Sequence, residues 1–341
     1  MYQLPDGKCA KIFKSKNNSV MKKEKIRIMV RKLGAMRAVD AALMSRLAWP
    51  EKMLYNEQRE WIGYIMPAFS NTHPFADYSY DTFPALIPNV SKADQIRMSV
   101  ALTELVDFLH YNNIVLCDIN TSNILFDNDQ NAYLIDLDSA QVAFEEKVFP
   151  TNVGLPDYLS PEHIRSCTFD FIKKKCDDVW ILQNLIFKIL TPCGHPYSSS
   201  IYCEDDREYV EKGIYPFQFD KHPAEEKIRG GPWYNVISHL PYYLKEGFWE
   251  SFHGEGKWFH EKERRPVSYW LNILVRYQED LPALTAYDAE SGKYLPSRAK
   301  KAPPPKAKVI SKESSSLADF NELLKKLPLE AKKNKSWDSM V

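Results

Sequence analysis

Between Leu116 and Asp138 the chain reads Leu-Cys-Asp-Ile-Asn-Thr-Ser-Asn-Ile-Leu-Phe, then a polar break, then Tyr-Leu-Ile-Asp-Leu-Asp. Two short apolar runs, 124–126 and 132–135, flank Asn128-Asp129-Gln130-Asn131, which is a hairpin signal. With the turn at 128–131, residue 127 pairs with 132 and 124 with 135, and Asn123 falls opposite Asp136. Two oxygen-bearing side chains then share the open end of one hairpin. Hard oxygen donors of that kind suit Mg²⁺, which keeps waters and phosphate oxygens for its other positions. Asp118 lies five residues before Asn123, on the loop entering the hairpin. A carboxylate there can accept the proton of a hydroxyl that attacks a phosphoryl group. The D-x-x-x-x-N spacing alone is a weak signal, because Asp and Asn favour turns and strand ends. The hairpin ending in Ile-Asp is what gives it weight.

The rest of the chain supplies a frame. Residues 1–15 alternate around Pro5-Asp6-Gly7, the pattern of a hairpin. Apolar residues at Ile26, Met29, Val30 and Leu33, then Ala38, Ala41, Ala42 and Leu47, give helical spacing over 20–47 and predict at least one helix there. Strands follow at 52–55 and 61–66, and Pro67 ends the second. Residues 92–111 have strong helical spacing, and 178–190 are apolar nearly all round, which predicts a deeply buried helix. His195 follows that helix and reads as structural.

Composition excludes several classes. Basic and acidic residues number 45 each, so no global charge draws the chain to nucleic acid or an anionic membrane. The tail from Pro296 carries eleven basic against five acidic residues, so it holds +6 and the remainder −6. Six cysteines form no C-x-x-C pair, which argues against ribbon or finger zinc sites. No apolar leader and no uncharged membrane-length run is evident, so the expectation is a soluble, cytoplasmic protein in a reducing compartment. Neither G-x-G-x-x-G nor G-x-x-x-x-G-K-[ST] occurs, which removes the main signatures of Rossmann and P-loop chemistry.

Taken in order, these segments resemble the protein-kinase family. Asp118 to Asn123 is similar to the catalytic loop H-R-D-x-x-x-x-N, and Asp136-Leu-Asp to D-F-G. Gly154 to Glu162 resembles the end of an activation segment, and Asp178-Val-Trp-Ile-Leu-Gln the start of the central helix of the large lobe. Arg265-Pro266 resembles the late arginine that pairs with Glu162, and Ala10-Lys11-Ile12 the V-A-I-K strand.

The resemblance implies an α+β, bilobal protein-kinase-like fold, with a small β-rich N-lobe and a large helical C-lobe. It implies ATP with Mg²⁺ or Mn²⁺, and transfer of the γ-phosphoryl group to Ser/Thr of a protein substrate. Asp118 is then the catalytic base, with Asn120 beside it in the catalytic loop. Asn123 and Asp136 are the metal ligands, and Lys11 binds phosphate with Glu24 as its helix partner. Ile65-Met66-Pro67-Ala68 is the hinge that reads adenine, with Met66 as the named cofactor-binding residue. The expected domains are 1–68 for the N-lobe, 69–295 for the C-lobe, and 296–341 for a basic Pro-rich linker with a short amphipathic helix at 316–327.

Within the kinases the chain most resembles a bacterial branch encoded beside von Willebrand A-domain and phosphatase partners. Ala48-Trp-Pro-Glu, Gly63-Tyr-Ile-Met-Pro, Cys117-Asp-Ile-Asn-Thr-Ser-Asn and Gly194-His-Pro-Tyr carry that likeness. The helix-hairpin-helix tail of some members is not read here, so nucleic-acid binding is not carried over, and the charge balance gives no expectation of a membrane partner. The pattern departs from the family in four places. Only ten residues precede Lys11, so the first strand and Gly-rich loop are expected to be missing. Asn120 stands where Ser/Thr kinases carry a lysine, and Leu116-Cys117 stands for His-Arg. Asp138 replaces the glycine of D-F-G, which should stiffen the loop. A regulatory pseudokinase with weak or no catalysis and a small-molecule phosphotransferase stay open as alternatives.

Overall fold

The computed structural model describes residues 1–14, 19–78, 90–150, 159–166, 172–191, 195–197, 206–217, 219, 237 and 240–291. The tail and its amphipathic helix, most of the 154–162 segment, and Cys167, Cys193 and Cys203 lie outside them.

The N-terminal hairpin forms as the alternation predicts. Strands β1 (Tyr2–Leu4) and β2 (Lys8–Ile12) pair antiparallel with Tyr2 opposite Ala10. Gly7 closes the turn at a φ of 65°, which glycine adopts without steric cost. Strands β3 (Lys52–Tyr55) and β4 (Trp61–Pro67) complete a sheet of order β1-β2-β4-β3. Gly63 of β4 is there for close approach: a Cβ at that position would sit 2.0 Å from the Lys11 carbonyl oxygen.

The helical spacing over 20–47 resolves into two helices. Helix α1 (Val20–Val39) ends at Asp40, whose backbone is extended and whose carboxylate accepts the Leu43 N–H at 2.8 Å. Asp40 thus caps the short α2 (Ala41–Met44), a local competition that apolar spacing does not register. The segment after α2 crosses to the second layer. Ala48 donates to Leu134 O at 2.8 Å and Leu134 to Arg46 O at 3.0 Å. The indole of Trp49, fully buried, donates to Met29 O at 2.8 Å and fixes α1.

Strand β5 (Thr72–Pro74) precedes α3 (Lys92–Tyr111), which begins with a complete capping box between Ser91 and Asp94. Ile96, Leu102, Leu105, Val106 and Leu109 of α3 are fully buried. Strand β6 (Ile114–Val115), the hairpin β7 (Ile124–Asp127) and β8 (Ala132–Leu134), and β9 (Gln141–Phe144) with β10 (Lys147–Phe149) surround the loop of interest. Then come α4 (Pro161–Ser166), α5 (Lys175–Leu190), α6 (Asp206–Lys212), α7 (Tyr242–Phe252) and α8 (Val267–Ser291). Helix α5 is buried on nearly every side, as its composition predicts. Its Trp180 and Phe187 pack edge-on against Phe252 of α7. His195 Nδ1 accepts the Tyr197 N–H at 3.3 Å, in keeping with a structural role. Among the described residues no helix is long and apolar enough to cross a membrane.

The β7–β8 register differs by one residue from the sequence reading. Ile124 pairs with Leu134, not with residue 135. The loop is three residues long, because Asp127 accepts the N–H groups of Asp129 and Asn131, each at 2.9 Å, and Gln130 adopts a φ of 64°. An aspartate turn closed by a left-handed residue favours this shorter connection. Asn123 therefore faces Ile135, whose N–H donates to Asn123 O at 3.0 Å, and Asp136 lies one step past the ladder.

Candidate active site

Asp178, the first buried residue of α5, sets the loop before Asp118. Its fully buried carboxylate accepts Leu116 N–H at 2.7 Å, Cys117 N–H at 2.8 Å, and pairs with His110 Nε2 at 2.9 Å. Cys117 is held at a φ of 64°, unusual for a non-glycine residue. Burial, then the Asp178 charge, pushes its thiol well above the ordinary range, so it is an inert core group.

Asp118, Asn120 and Asn123 form one hydrogen-bonded loop. Asn120 Oδ1 accepts Ser122 N–H at 2.9 Å and Asn123 N–H at 3.2 Å, while its Nδ2 donates to Asp118 Oδ1 at 3.0 Å. Asn123 Nδ2 donates to Asp118 O at 3.2 Å and to Asp118 Oδ2 at 3.4 Å. Burial holds the Asp118 carboxyl above its usual pKa and the Asp136 charge adds to it, against the two amide donors. The structure thus gathers Asp118, Asn120, Asn123 and Asp136 in one place. Asp136 is left-handed, with a φ of 60° and no cap bond of its own, a strained conformation of the sort found at functional sites.

Lys11 reaches this cluster from β2. Its Nζ pairs with Asp136 Oδ1 and, at 2.5 Å, with Asp138 Oδ1. Burial opposes its charge, but Asp138 and Asp136 outweigh burial and hold the amine above the usual lysine value. The expected pairing with Glu24 is not what the structure shows. Glu24 is partly exposed on α1 and binds Arg27 at 2.6 Å. Helical register is the reason: the α1 residues facing the site are Lys22, whose Nζ lies 3.6 Å from Asp138 Oδ2, and the buried Lys25.

Met66 is packed in the core, and the chain after it is tied back to the first hairpin by Ala68 N–H on Gly7 O at 2.9 Å. The arginine on Glu162 is Arg264, not Arg265. Arg264 is buried, its Nη2 sits 3.1 Å from both Glu162 oxygens, and its Nη1 donates to Cys176 O at 3.1 Å. Arg265 is exposed and lies 4.7 Å over the Trp258 ring. Sequence reasoning missed Asp138 and Tyr64 as site residues. The one available signal was an aspartate in a slot where the resemblance calls for glycine.

The donor set fits a hard divalent ion. The amide nitrogen of Asn123 is committed to Asp118, which leaves its oxygen as a donor beside the Asp136 carboxylate. Among the described residues no group of three or more His, Cys, Asp or Glu is gathered into a metal cage. An ion held by Asn123 and Asp136 would complete its shell with phosphate and water, as Mg²⁺ and Mn²⁺ do.

A protein kinase domain profile matches residues 79–228, the stretch that carries this loop, the hairpin and α5. The fold is protein-kinase-like. The chain is similar to Protein kinase YegI of Escherichia coli strain K12, 26% identical over 223 residues, 64% of this chain and 34% of the relative. The same protein of strain O157:H7 is 26% identical over 252 residues, 72% of this chain and 38% of the relative. The cAMP-dependent protein kinase catalytic subunit of Dictyostelium discoideum is 32% identical over 117 residues, 34% of this chain and 17% of the relative. The chain spans a little over a third of the length of the two bacterial relatives.

Proposed function

We propose that the chain is an ATP-dependent protein kinase that transfers the γ-phosphoryl group to a Ser/Thr hydroxyl of a protein. The observation that carries this is the convergence of Asp118, Asn120 and Asn123 in one hydrogen-bonded loop with Asp136 and Lys11 against it. The substrate oxygen forms the new bond to phosphorus as the bond to ADP breaks, and Asp118 takes the hydroxyl proton. Asn120 and Asn123 aim the Asp118 carboxylate through their amide N–H groups. Lys11 supplies positive charge to the phosphates. Asn123 and Asp136 would hold Mg²⁺ or Mn²⁺, which supplies charge neutralisation to the phosphate oxygens.

Asn120 stands where a lysine serves the γ-phosphate in Ser/Thr kinases, so slow turnover belongs to this reading. The kinase-named relatives support phosphotransfer to protein. Association with a von Willebrand A-domain protein and a phosphatase, a cytoplasmic location and a bacterial source rest on the sequence resemblance and cysteine usage alone. The test is binding of Mg-ATP by thermal shift in wild type and Asp136→Ala. The proposal expects a metal-dependent shift that Asp136→Ala removes. A shift that survives the substitution unchanged contradicts the ligand assignment.

A further inference from the structure

We propose that Asp138 is the positioning residue of Lys11: its buried carboxylate does the work expected of a helix-borne glutamate, and it ties helix α1 to the site through Lys22.

Asp138 is 7% exposed, and both of its carboxylate oxygens have partners. Oδ1 takes Lys11 Nζ at 2.5 Å and the Tyr64 hydroxyl at 2.8 Å, while Oδ2 faces Lys22 Nζ at 3.6 Å. Tyr64 is itself fully buried and stands opposite Lys11 in the β2–β4 ladder, so one strand pair presents both donors to the same oxygen. A buried carboxylate with this many donors is held in one orientation.

Helix α1 offers the opposite of an acid. Its first turn has no acidic residue, and Lys22 and Lys25 lie one turn apart toward the site. The Lys22 ammonium also rests 4.0 Å over the ring of Phe13, the residue after β2. Glu24 lies off that face, on Arg27. The ammonium groups of Lys11 and Lys22 thus meet at Asp138, with the buried Lys25 on the same face of α1. With glycine at position 138, Asp136 alone would face Lys11, and a carboxylate neutralised by lysine is a poorer metal ligand. Asp138 gives Lys11 a second counter-charge, so Asp136, which also pairs with Lys11, does not carry the ammonium alone. The same contact makes α1 report on the loop, since moving α1 would draw Lys22 away from Oδ2.

The role for Lys11 rests on the kinase reading, but its placement can be read without turnover. The full chain, free of nucleotide, is acetylated with a water-soluble succinimidyl ester, and modification of Lys11 is followed by mass spectrometry. The ester acylates a free amine and not an ammonium, and Lys11 is held by both Asp136 and Asp138; Asp138→Asn leaves Asp136 alone to hold it and should raise the Lys11 rate roughly fivefold or more. Glu24→Gln should change it far less. Tyr64→Phe keeps the buried ring, removes one donor to Asp138, and should give a smaller rise in the same direction; it decides the matter if Asp138→Asn does not fold. A Lys11 rate within twofold of wild type in Asp138→Asn (or in Tyr64→Phe, should only that fold), or a larger rise in Glu24→Gln, overturns the proposal. Kinetics separate the two readings. If wild type transfers phosphate, Asp138→Asn should raise KM for ATP roughly tenfold. If wild type transfers none while the footprint behaves as stated, the kinase reading fails and the Asp138 placement stands.

Discussion

The fully buried carboxylate of Asp178 accepts the Cys117 N–H at 2.8 Å, one residue before Asp118. A side chain in the most buried helix thereby fixes the backbone from which the candidate base projects. Asp178→Asn would turn an amide N–H₂ toward backbone donors that need an acceptor. The expected cost is about 3 kcal/mol of stability, read from the urea midpoint. An unchanged midpoint would mean the Leu116–Cys117 backbone is held by something else.

Arg264 and Arg265 should behave very differently. Arg264→Ala strands the half-buried Glu162 and should cost roughly 3 kcal/mol, while exposed Arg265→Ala should cost under about 1. Burial alone would raise the Glu162 pKa, but Arg264 outweighs it and holds the carboxyl below the ordinary 4.5. A carboxyl depressed in the folded state stabilises above its unfolded pKa and loses that contribution as pH falls through its folded pKa. The stability gap between wild type and Glu162→Gln should therefore be full at pH 7 and shrink below about pH 4.5.

Lys25 gives a signature of the same sign at the alkaline end. Burial lowers its pKa to about 8 from 10.5, with Asp138 only partly opposing. Between those two values the unfolded chain binds the extra proton, so this residue makes stability rise as pH rises from about 8 to about 10.5. Relative to Lys25→Met, wild type should gain on the order of 1–3 kcal/mol across that window. Parallel melting curves for the two proteins from pH 7 to 10.5 would show that Lys25 is not buried as described.

Gly63→Ala should be among the most damaging small substitutions. The added Cβ would meet the Lys11 carbonyl oxygen at 2.0 Å, and a strand backbone cannot yield as a side chain can. The β2–β4 ladder must open there, so a loss of more than about 2 kcal/mol is expected, with Mg-ATP binding weakened in proportion. Circular-dichroism melts and a nucleotide titration check both parts.

What the chain displays in its sequence is the geometry that local pattern controls. The capped 92–111 helix, the buried helix at 178–190 and the hairpin turn at Gly7 all follow from periodicity and turn chemistry. The Asp118–Asn123 loop was legible because its hydrogen bonds are short in sequence. Three features were not, each for a physical reason. The hairpin register depends on whether Gln130 goes left-handed, which composition does not decide. The break at Asp40 is a contest between helix continuation and a side-chain cap. The Lys11 partner depends on which face of α1 turns inward, and the one acid on that helix, Glu24, lies on the wrong side of it.

The claim that Asp118 is the base of a phosphotransfer site is tested most directly by one paired measurement. Radiolabelled transfer from Mg-ATP to protein Ser/Thr, including autophosphorylation, is compared in wild type and Asp118→Asn, with nucleotide binding followed in the same samples. Asp118 touches Asn120 and Asn123 but lies outside the proposed metal ligands. Transfer should therefore fall by about a hundredfold or more while ATP affinity stays within about twofold. Equal transfer by wild type and Asp118→Asn would contradict the account.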